Sequence, residues 1–133
     1  MIDLEISDKN LMIIFDERLG QRIGLIYKDP TPSELIKYKS KITKLISDKS
    51  TLEEIVDFQV KYGLQFLTGV REGELGFGGK VISTDPESEN YNKDWKELLH
   101  KKVFKVVHKF SETLLGDYST YVVKENNLPF SES

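Results

Sequence analysis

The segment Thr51 to Arg71, TLEEIVDFQVKYGLQFLTGVR, constrains the fold more than any other stretch. Apolar or aromatic side chains stand at Leu52, Ile55, Val56, Phe58, Val60, Tyr62, Leu64, Phe66 and Leu67. The polar residues Glu54, Asp57, Lys61 and Gln65 recur at steps of three and four, so on a helix they share one narrow stripe. A helix apolar on nearly every other side is covered by its neighbours. The segment therefore predicts a central helix over about residues 52–68, with Asp57 and Lys61 as a favourable i,i+4 pair. Gly63, near its end, marks either a close approach of another backbone or a weak point.

The flanking segments supply what would cover such a helix. Ile2, Leu4 and Ile6 alternate with Asp3 and Glu5, as in a strand with one buried face. Leu11 to Phe15 is a second strand-like run, and Gln21 to Lys28 a third in which Ile23, Leu25 and Tyr27 share a face. Turn residues separate the runs at Ser7 to Asn10 and at Asp16 to Gly20. A small antiparallel sheet of two or three strands follows, and it needs a helix to pack on. Thr31-Pro32-Ser33-Glu34 is a capping box with proline at the first helical position, and it starts a helix reaching about Ile46. Leu35, Tyr38, Ile42, Leu45 and Ile46 form its apolar stripe, whereas Lys37, Lys41 and Lys44 form a solvated face. A second capping box, Thr51-x-x-Glu54, launches the central helix.

After Thr68-Gly69 the chain becomes irregular from Val70 to Asn92, with glycines at 69, 73, 76, 78 and 79. Over twenty residues is long for a passive connection, so a second small hairpin around Glu74 to Ile82 is expected. A last helix is expected over about 92–115, with Asn92 as N-cap and Gly116 as its left-handed stop. Trp95, Leu98, Leu99, Val103, Val106, Val107, Phe110 and Leu114 give it one wide apolar face that packs along the central helix. Tyr118 to Val123 is a candidate edge strand. The resulting expectation is an α+β fold, mainly α: a small N-terminal antiparallel sheet on three helices at about 32–46, 52–68 and 92–115. One domain spans 1–123, and 124–133 is a flexible tail.

Composition agrees with one folded domain: 133 residues and 15.3 kDa are enough for an ordinary hydrophobic core. The longest apolar run, Leu11 to Phe15, is far short of a membrane span, and Asp3 and Glu5 stand where a signal peptide carries positive charge. A cytoplasmic protein with no membrane partner is the expectation. The absence of cysteine excludes disulfides, thiolate metal sites and a cysteine nucleophile. A net charge of -3 argues against a dedicated nucleic-acid binder.

Motifs for chemistry fail on inspection. In GELGFGGKV, Glu74 stands where a phosphate loop has its first glycine, and Val81 follows Lys80 in place of Ser or Thr. Val81 also occupies the third glycine position of a dinucleotide fingerprint, so a turn is the better account. Asp85-x-Glu87-x-Glu89 lacks the central glycine and distal glutamate of a calcium loop. His100 and His108 lie too far apart on one helix to share a metal. None of the 22 acidic residues is singled out as a catalytic pair, and no nucleophile elbow or zinc-protease helix occurs. No enzyme, cofactor or metal site is expected. Tyr91 and Trp95, one turn apart, read as core anchors with a polar end at the surface.

Three stretches resemble the tail assembly chaperones of long-tailed bacteriophages and phage-like particles. They are Tyr27 to Leu35 (YKDPTPSEL), Leu67 to Gly73 (LTGVREG) and Asp94 to Leu99 (DWKELL), within a likeness covering most of Lys28 to Gly116. The resemblance implies a largely helical protein that coats the tape-measure protein and recruits tail-tube subunits, without catalytic residues. Self-association stays open, and so does a longer form extended beyond 124–133. Two other readings stand beside it: a minor structural component of a tail or head-tail connector, and a small regulatory module binding through its lysine faces. The interaction residues expected are Arg71, Phe77, Tyr91 and Tyr121.

A division of labour follows between the central segment and the loop it delivers. Phe66→Ala or Leu67→Ala should cost about 2 to 5 kcal/mol in chemical denaturation, as truncations of buried side chains. Phe77→Ala should weaken partner binding with little effect on folding. Equal destabilisation by Phe66→Ala and Phe77→Ala would place the loop in the core instead.

Overall fold

The computed structural model describes residues 9–116. β1 (Asn10–Asp16) and β2 (Gln21–Tyr27) form an antiparallel hairpin, in register from Asn10 opposite Tyr27 to Asp16 opposite Gln21. α1 (Pro32–Ser47) and α2 (Leu52–Leu64) follow, and then β3 (Leu67–Val70) returns to pair antiparallel with β2. The sheet order is β1-β2-β3. A separate hairpin of β4 (Gly76–Phe77) and β5 (Lys80–Val81) leads by an irregular stretch to α3 (Trp95–Lys102), α4 (Phe104–Ser111) and a π-helical turn over Glu112–Gly116. The fold is thus the expected small α+β arrangement of an antiparallel sheet with helices.

Both capping boxes form. Thr31 Oγ1 accepts from the Glu34 N–H at 3.2 Å while the Thr31 N–H donates to Glu34 Oε1 at 2.9 Å. Thr51 and Glu54 repeat the arrangement at the same two distances. Each box satisfies two amide groups that a helix start leaves without partners. At the other end of α2, the Lys96 ammonium donates to the Leu64 carbonyl at 2.9 Å, placing a cation on the negative end of that helix. Burial lowers the pKa of this lysine below the ordinary value.

α2 divides the core in two. Val60, with Val56 and Leu64 beside it, joins Ile14, Leu25, Leu67 and Val70 of the sheet and Trp95, Leu99, Val106, Val107 and Phe110 of α3 and α4. The opposite side of α2 presents Ile55, Phe58 and Tyr62 to Tyr38 and Ile42 of α1, with Phe66 and Leu115 closing the cluster. Tyr38, Phe58, Tyr62 and Phe66 form a chain of ring contacts with centroids 5.3 to 5.8 Å apart. The Tyr62 hydroxyl donates to the Glu34 carbonyl at 2.6 Å, tying α2 to the first turn of α1. An all-round apolar helix between two clusters is what the composition of Thr51 to Arg71 demands. The Asp57–Lys61 pair forms at 3.0 Å on the outer stripe.

Several expectations are corrected. The central helix ends at Leu64, not near residue 68, and Leu67–Val70 is a strand. The β2 edge offers backbone partners there, and a short strand satisfies more backbone groups than a frayed last helical turn. The third strand of the sheet is therefore β3, while Ile2 to Ile6 lies outside the described residues. The single helix expected over 92–115 is two helices broken at Val103, which takes φ -130° and ψ 52°. Asn92 is not its N-cap: α3 starts after Asp94, and the Asn92 side chain accepts from the Asp94 N–H instead. Ile46 and Leu52, counted on apolar faces, are exposed. The candidate strand Tyr118 to Val123 and the tail 124–133 lie outside the described residues. Among the described residues, no helix is long and apolar enough to cross a membrane.

Gly63 is the close approach its sequence position suggested. A Cβ there would stand 2.1 Å from Ser111 Oγ and 3.0 Å from Ser111 Cα, so α2 and α4 touch at a point with no room for a methyl group. Gly63→Ala should raise helix propensity yet destabilise the protein by about 1 to 3 kcal/mol, the cost of overpacking, in urea unfolding. Pairing it with Ser111→Gly should recover part of the loss. Stabilisation by Gly63→Ala alone would show that the two helices are free to separate.

Candidate interaction surface

Residues opposite each other in an antiparallel pair lie on the same face, so the register sorts the sheet. Met12 and Ile14 of β1, Ile23, Leu25 and Tyr27 of β2, and Val70 of β3 face the helices. Tyr27 meets Phe110 of α4 edge-on at 5.7 Å. The other face carries Leu11, Ile13 and Phe15 on β1, then Arg22, Gly24 and Ile26 on β2, then Gly69 on β3. Leu11, Ile13 and Phe15 are 48%, 51% and 48% exposed. Three adjacent apolar side chains on one outward stripe form a patch, unlike scattered surface leucines.

An arginine is fixed at the edge of this patch. β3 ends at Val70, and beyond it the ladder to β2 is completed partly by a side chain. The Arg71 N–H still donates to the Gly24 carbonyl at 2.8 Å, but the Gly24 N–H donates to a side chain, Glu74 Oε1, at 2.6 Å. The other oxygen of that carboxylate accepts from Arg71 Nε at 2.7 Å and pairs with Nη2 at 2.5 Å. Glu74 therefore completes the ladder and orients the guanidinium together. The hydrogen bond from Arg71, supported by the Gly24 N–H and the arginine charge, holds the Glu74 carboxyl below the usual carboxylate range. Arg71 lies across Gly24: a Cβ there would be 3.1 Å from Nε and 3.0 Å from Leu11 Cδ1. Glycine leaves the space that lets the cation rest on the sheet beside Leu11.

The irregular stretch after β3 is held to it by side chains. The Val70 N–H donates to Thr84 Oγ1 at 3.0 Å, and Ser83 Oγ donates to Glu72 Oε1 at 2.5 Å while accepting from the Asp85 N–H at 3.0 Å. A shallow groove of about 810 Å³ separates this stretch from the outer face, lined by Ile26, Lys28, Gly69, Arg71, Glu72 and Thr84 among others.

The sequence-predicted site residues fall on different elements. Arg71 is on the sheet face as described, and Phe77 is 52% exposed in the β4–β5 hairpin. Tyr91 bridges to Ser83 and is 38% exposed, so the reading of Tyr91 as a core anchor is corrected; Trp95 alone is buried. A tyrosine one turn before a buried tryptophan need not share its face when no helix joins them, and α3 begins only at Trp95. Tyr121 lies outside the described residues. Sequence reasoning missed Leu11, Ile13, Phe15, Gly24 and Glu74. The signal for the first three was the unbroken run Leu11 to Phe15, which marks a strand apolar on both faces.

A second apolar region lies elsewhere: Leu52 and Phe104 are exposed around an open groove of about 880 Å³ bordered by Glu53, Glu54 and Asp57. His100 and His108 both lie against Phe104, with ring centroids 5.8 and 6.0 Å away. Among the described residues, no three histidine, aspartate or glutamate side chains are placed to hold a metal ion. The carboxyls held low are accounted for by helix caps at Glu34 and Glu54 and by cation partners at Glu74 and Glu97. No family model, curated protein or solved structure matches the chain.

Because the folded-state pKa of Glu74 is depressed, its stabilisation is complete above the pH at which an unfolded glutamate titrates. It is lost as pH falls through the lower folded value. Glu74→Gln should therefore flatten the loss of stability on acidification, measured by urea unfolding at a series of pH values. An unchanged pH profile would mean that the Glu74 contacts contribute nothing in solution.

Proposed function

We propose that this chain is a non-enzymatic protein-binding module that serves as a tail assembly chaperone of a long-tailed phage or phage-like particle. In that role it holds the tape-measure protein and recruits tail-tube subunits. The observation that carries the binding part of the reading is the apolar stripe Leu11, Ile13 and Phe15 with Arg71 fixed beside it. Exposed apolar patches on small folded domains mark contact surfaces, and arginine held in place by a second residue is a frequent anchor within them. The phage part rests on the likeness of Tyr27 to Leu35, Leu67 to Gly73 and Asp94 to Leu99.

The surface suits an elongated partner. An amphipathic helix lays residues at steps of three, four and seven against an apolar strip, and the outer sheet face offers such a strip with a cation at its border. A tape-measure protein, long and helical, presents that pattern repeatedly. Several copies of a small chaperone along one partner would then cover apolar surface that otherwise aggregates.

The test is co-expression with a tape-measure protein encoded nearby. The chain should keep that protein soluble and co-purify with it, yet be missing from finished particles; stoichiometric copies in particles would make it a structural component. Phe15→Ser and Arg71→Ala should each weaken the complex by at least about tenfold, the scale of losing one anchor contact, with both variants still folded at the assay temperature. A complex that forms equally well with both variants would move the contact surface elsewhere.

A further inference from the structure

α3 and α4 carry two rows of side chains that the hydrophobic core does not use. His100, Phe104 and His108 recur every four residues, and Lys101, Lys105 and Lys109 do the same one position later. A step of four is about 6 Å along a helix, so the rows run side by side. The break at Val103 does not interrupt the rings: His100 and His108 both lie against Phe104, with centroids 5.8 and 6.0 Å away. Phe104 belongs to neither core cluster and is 39% exposed, while Val106, Val107 and Phe110 of the same helix fill the core.

Across from the lysine row stands the turn between β1 and β2. One groove of about 260 Å³ is lined by Arg18, Lys101, Lys102, Phe104 and Lys105 among others, and a second of about 170 Å³ by Arg18, Lys105 and Lys109 among others. Arg18 and Lys105 border both, so the two grooves continue one another between the turn and α4. The acids nearby are few. Asp16 also borders both grooves and accepts from the Arg18 N–H at 3.0 Å, Glu17 borders the smaller one, and Glu97 pairs with Lys101 at 2.9 Å. Arg18, Lys102, Lys105 and Lys109 are exposed, and among the described residues none of them forms an ion pair. From His100 to Lys109 the chain holds four lysines, two histidines and no acid, so a net charge of -3 conceals a local excess of the opposite sign.

We infer that this strip binds single-stranded nucleic acid, with phosphates along the lysine row and Arg18 and an unpaired base against the Phe104 ring. Proteins that hold single strands without sequence preference combine a cationic groove that tracks the backbone with rings on which bases stack. The two parallel rows supply both parts at one spacing. A duplex keeps its base faces stacked on one another, so it would use the cations alone. An acidic peptide would likewise engage the lysines and leave the ring row without a role. The lysine face of α1 has no such companion, because Tyr38, the aromatic residue of that helix, is buried. It therefore serves as an internal control. The inference stands apart from the chaperone reading, because it needs no partner protein.

The experiment measures fluorescence anisotropy of labelled oligothymidylate and oligouridylate on the full-length chain over a series of salt concentrations. Wild type should bind single strands, DNA or RNA, more tightly than a duplex of the same length. The double variant Lys105→Gln, Lys109→Gln should weaken binding at least about tenfold. It should also flatten the slope of log affinity against log salt by about 1.4, since each phosphate contact on a single strand contributes about 0.7. Phe104→Ala should weaken binding about 5- to 100-fold, the scale of one lost base stack, with the salt slope unchanged. Should that variant fail to fold, Phe104→Leu keeps an apolar side chain without the ring, and it should show the same loss. Lys37→Gln with Lys41→Gln on α1 should bind as wild type does. The inference is overturned by a wild type that binds neither oligonucleotide at low salt, by a duplex bound as well as a single strand, or by Phe104 variants of full affinity. An equal loss from the α1 variant would overturn it too. So would polyglutamate that displaces the oligonucleotides at matched charge, which would assign the strip to an acidic protein.

Discussion

The contact between α2 and α4 at Gly63 and Ser111 sets the rest of the architecture. Helices with ordinary side chains at the crossing stay 8 to 10 Å apart, and glycine brings them closer. With Ser111 seated on Gly63, Phe110 falls under Tyr27, and Val106 and Val107 fall into the space between α2 and the sheet. The helices thereby pack on one face of the sheet, burying Ile14, Leu25 and Val70 and partly burying Met12, Ile23 and Tyr27. The irregular stretch after β3 meets the other face through Thr84 at Gly69 and through Arg71 and Glu74 at Gly24.

That one-sided cover explains the otherwise unusual chemistry around Gly24. β3 is only four residues long, so β2 extends past it with a backbone N–H that water or a side chain must satisfy. Glu74 reaches back to fill the role, and a carboxylate committed to one N–H has a second oxygen left for a cation. Arg71 is the residue close enough in sequence to take it. A backbone shortfall at a strand end thus produces an oriented guanidinium on an apolar face. The carboxylate satisfies the Gly24 N–H, and its second oxygen fixes the arginine.

What was legible in the sequence was whatever local chemistry decides. Thr31 and Thr51 announced their helices because a capping box needs only four consecutive residues. Ile23, Leu25 and Tyr27 announced a buried face by alternation, and the glycines from 73 to 79 announced a hairpin. The end of α2 was not legible, because Phe66 and Leu67 continue the helical apolar pattern and only the β2 edge, far away in sequence, makes a strand the better state. The break at Val103 was hidden for a related reason. Trp95 to Leu115 contains no glycine or proline, and one straight helix fits its periodicity, yet α3 and α4 each turn a separate apolar face to the core. The surface suffered most, since Leu11, Ile13 and Phe15 look like core residues until the helices are seen to lie on one side only.

The outward stripe is costly to the isolated chain. Each large aliphatic or aromatic side chain left half in water forgoes a substantial part of the roughly 1.5 to 3 kcal/mol that burial provides. Three of them together amount to several kcal/mol, comparable to the whole net stability of many small domains. A lysine or threonine at each position would keep the strand and remove the hazard of edge-to-edge aggregation. The same chain does protect its other edge with Thr84, so protection was accessible to this fold. Among the described residues, Thr84 caps the β3 edge while β1 carries three half-exposed apolar side chains on its outer face, so the two sides of this sheet are finished differently.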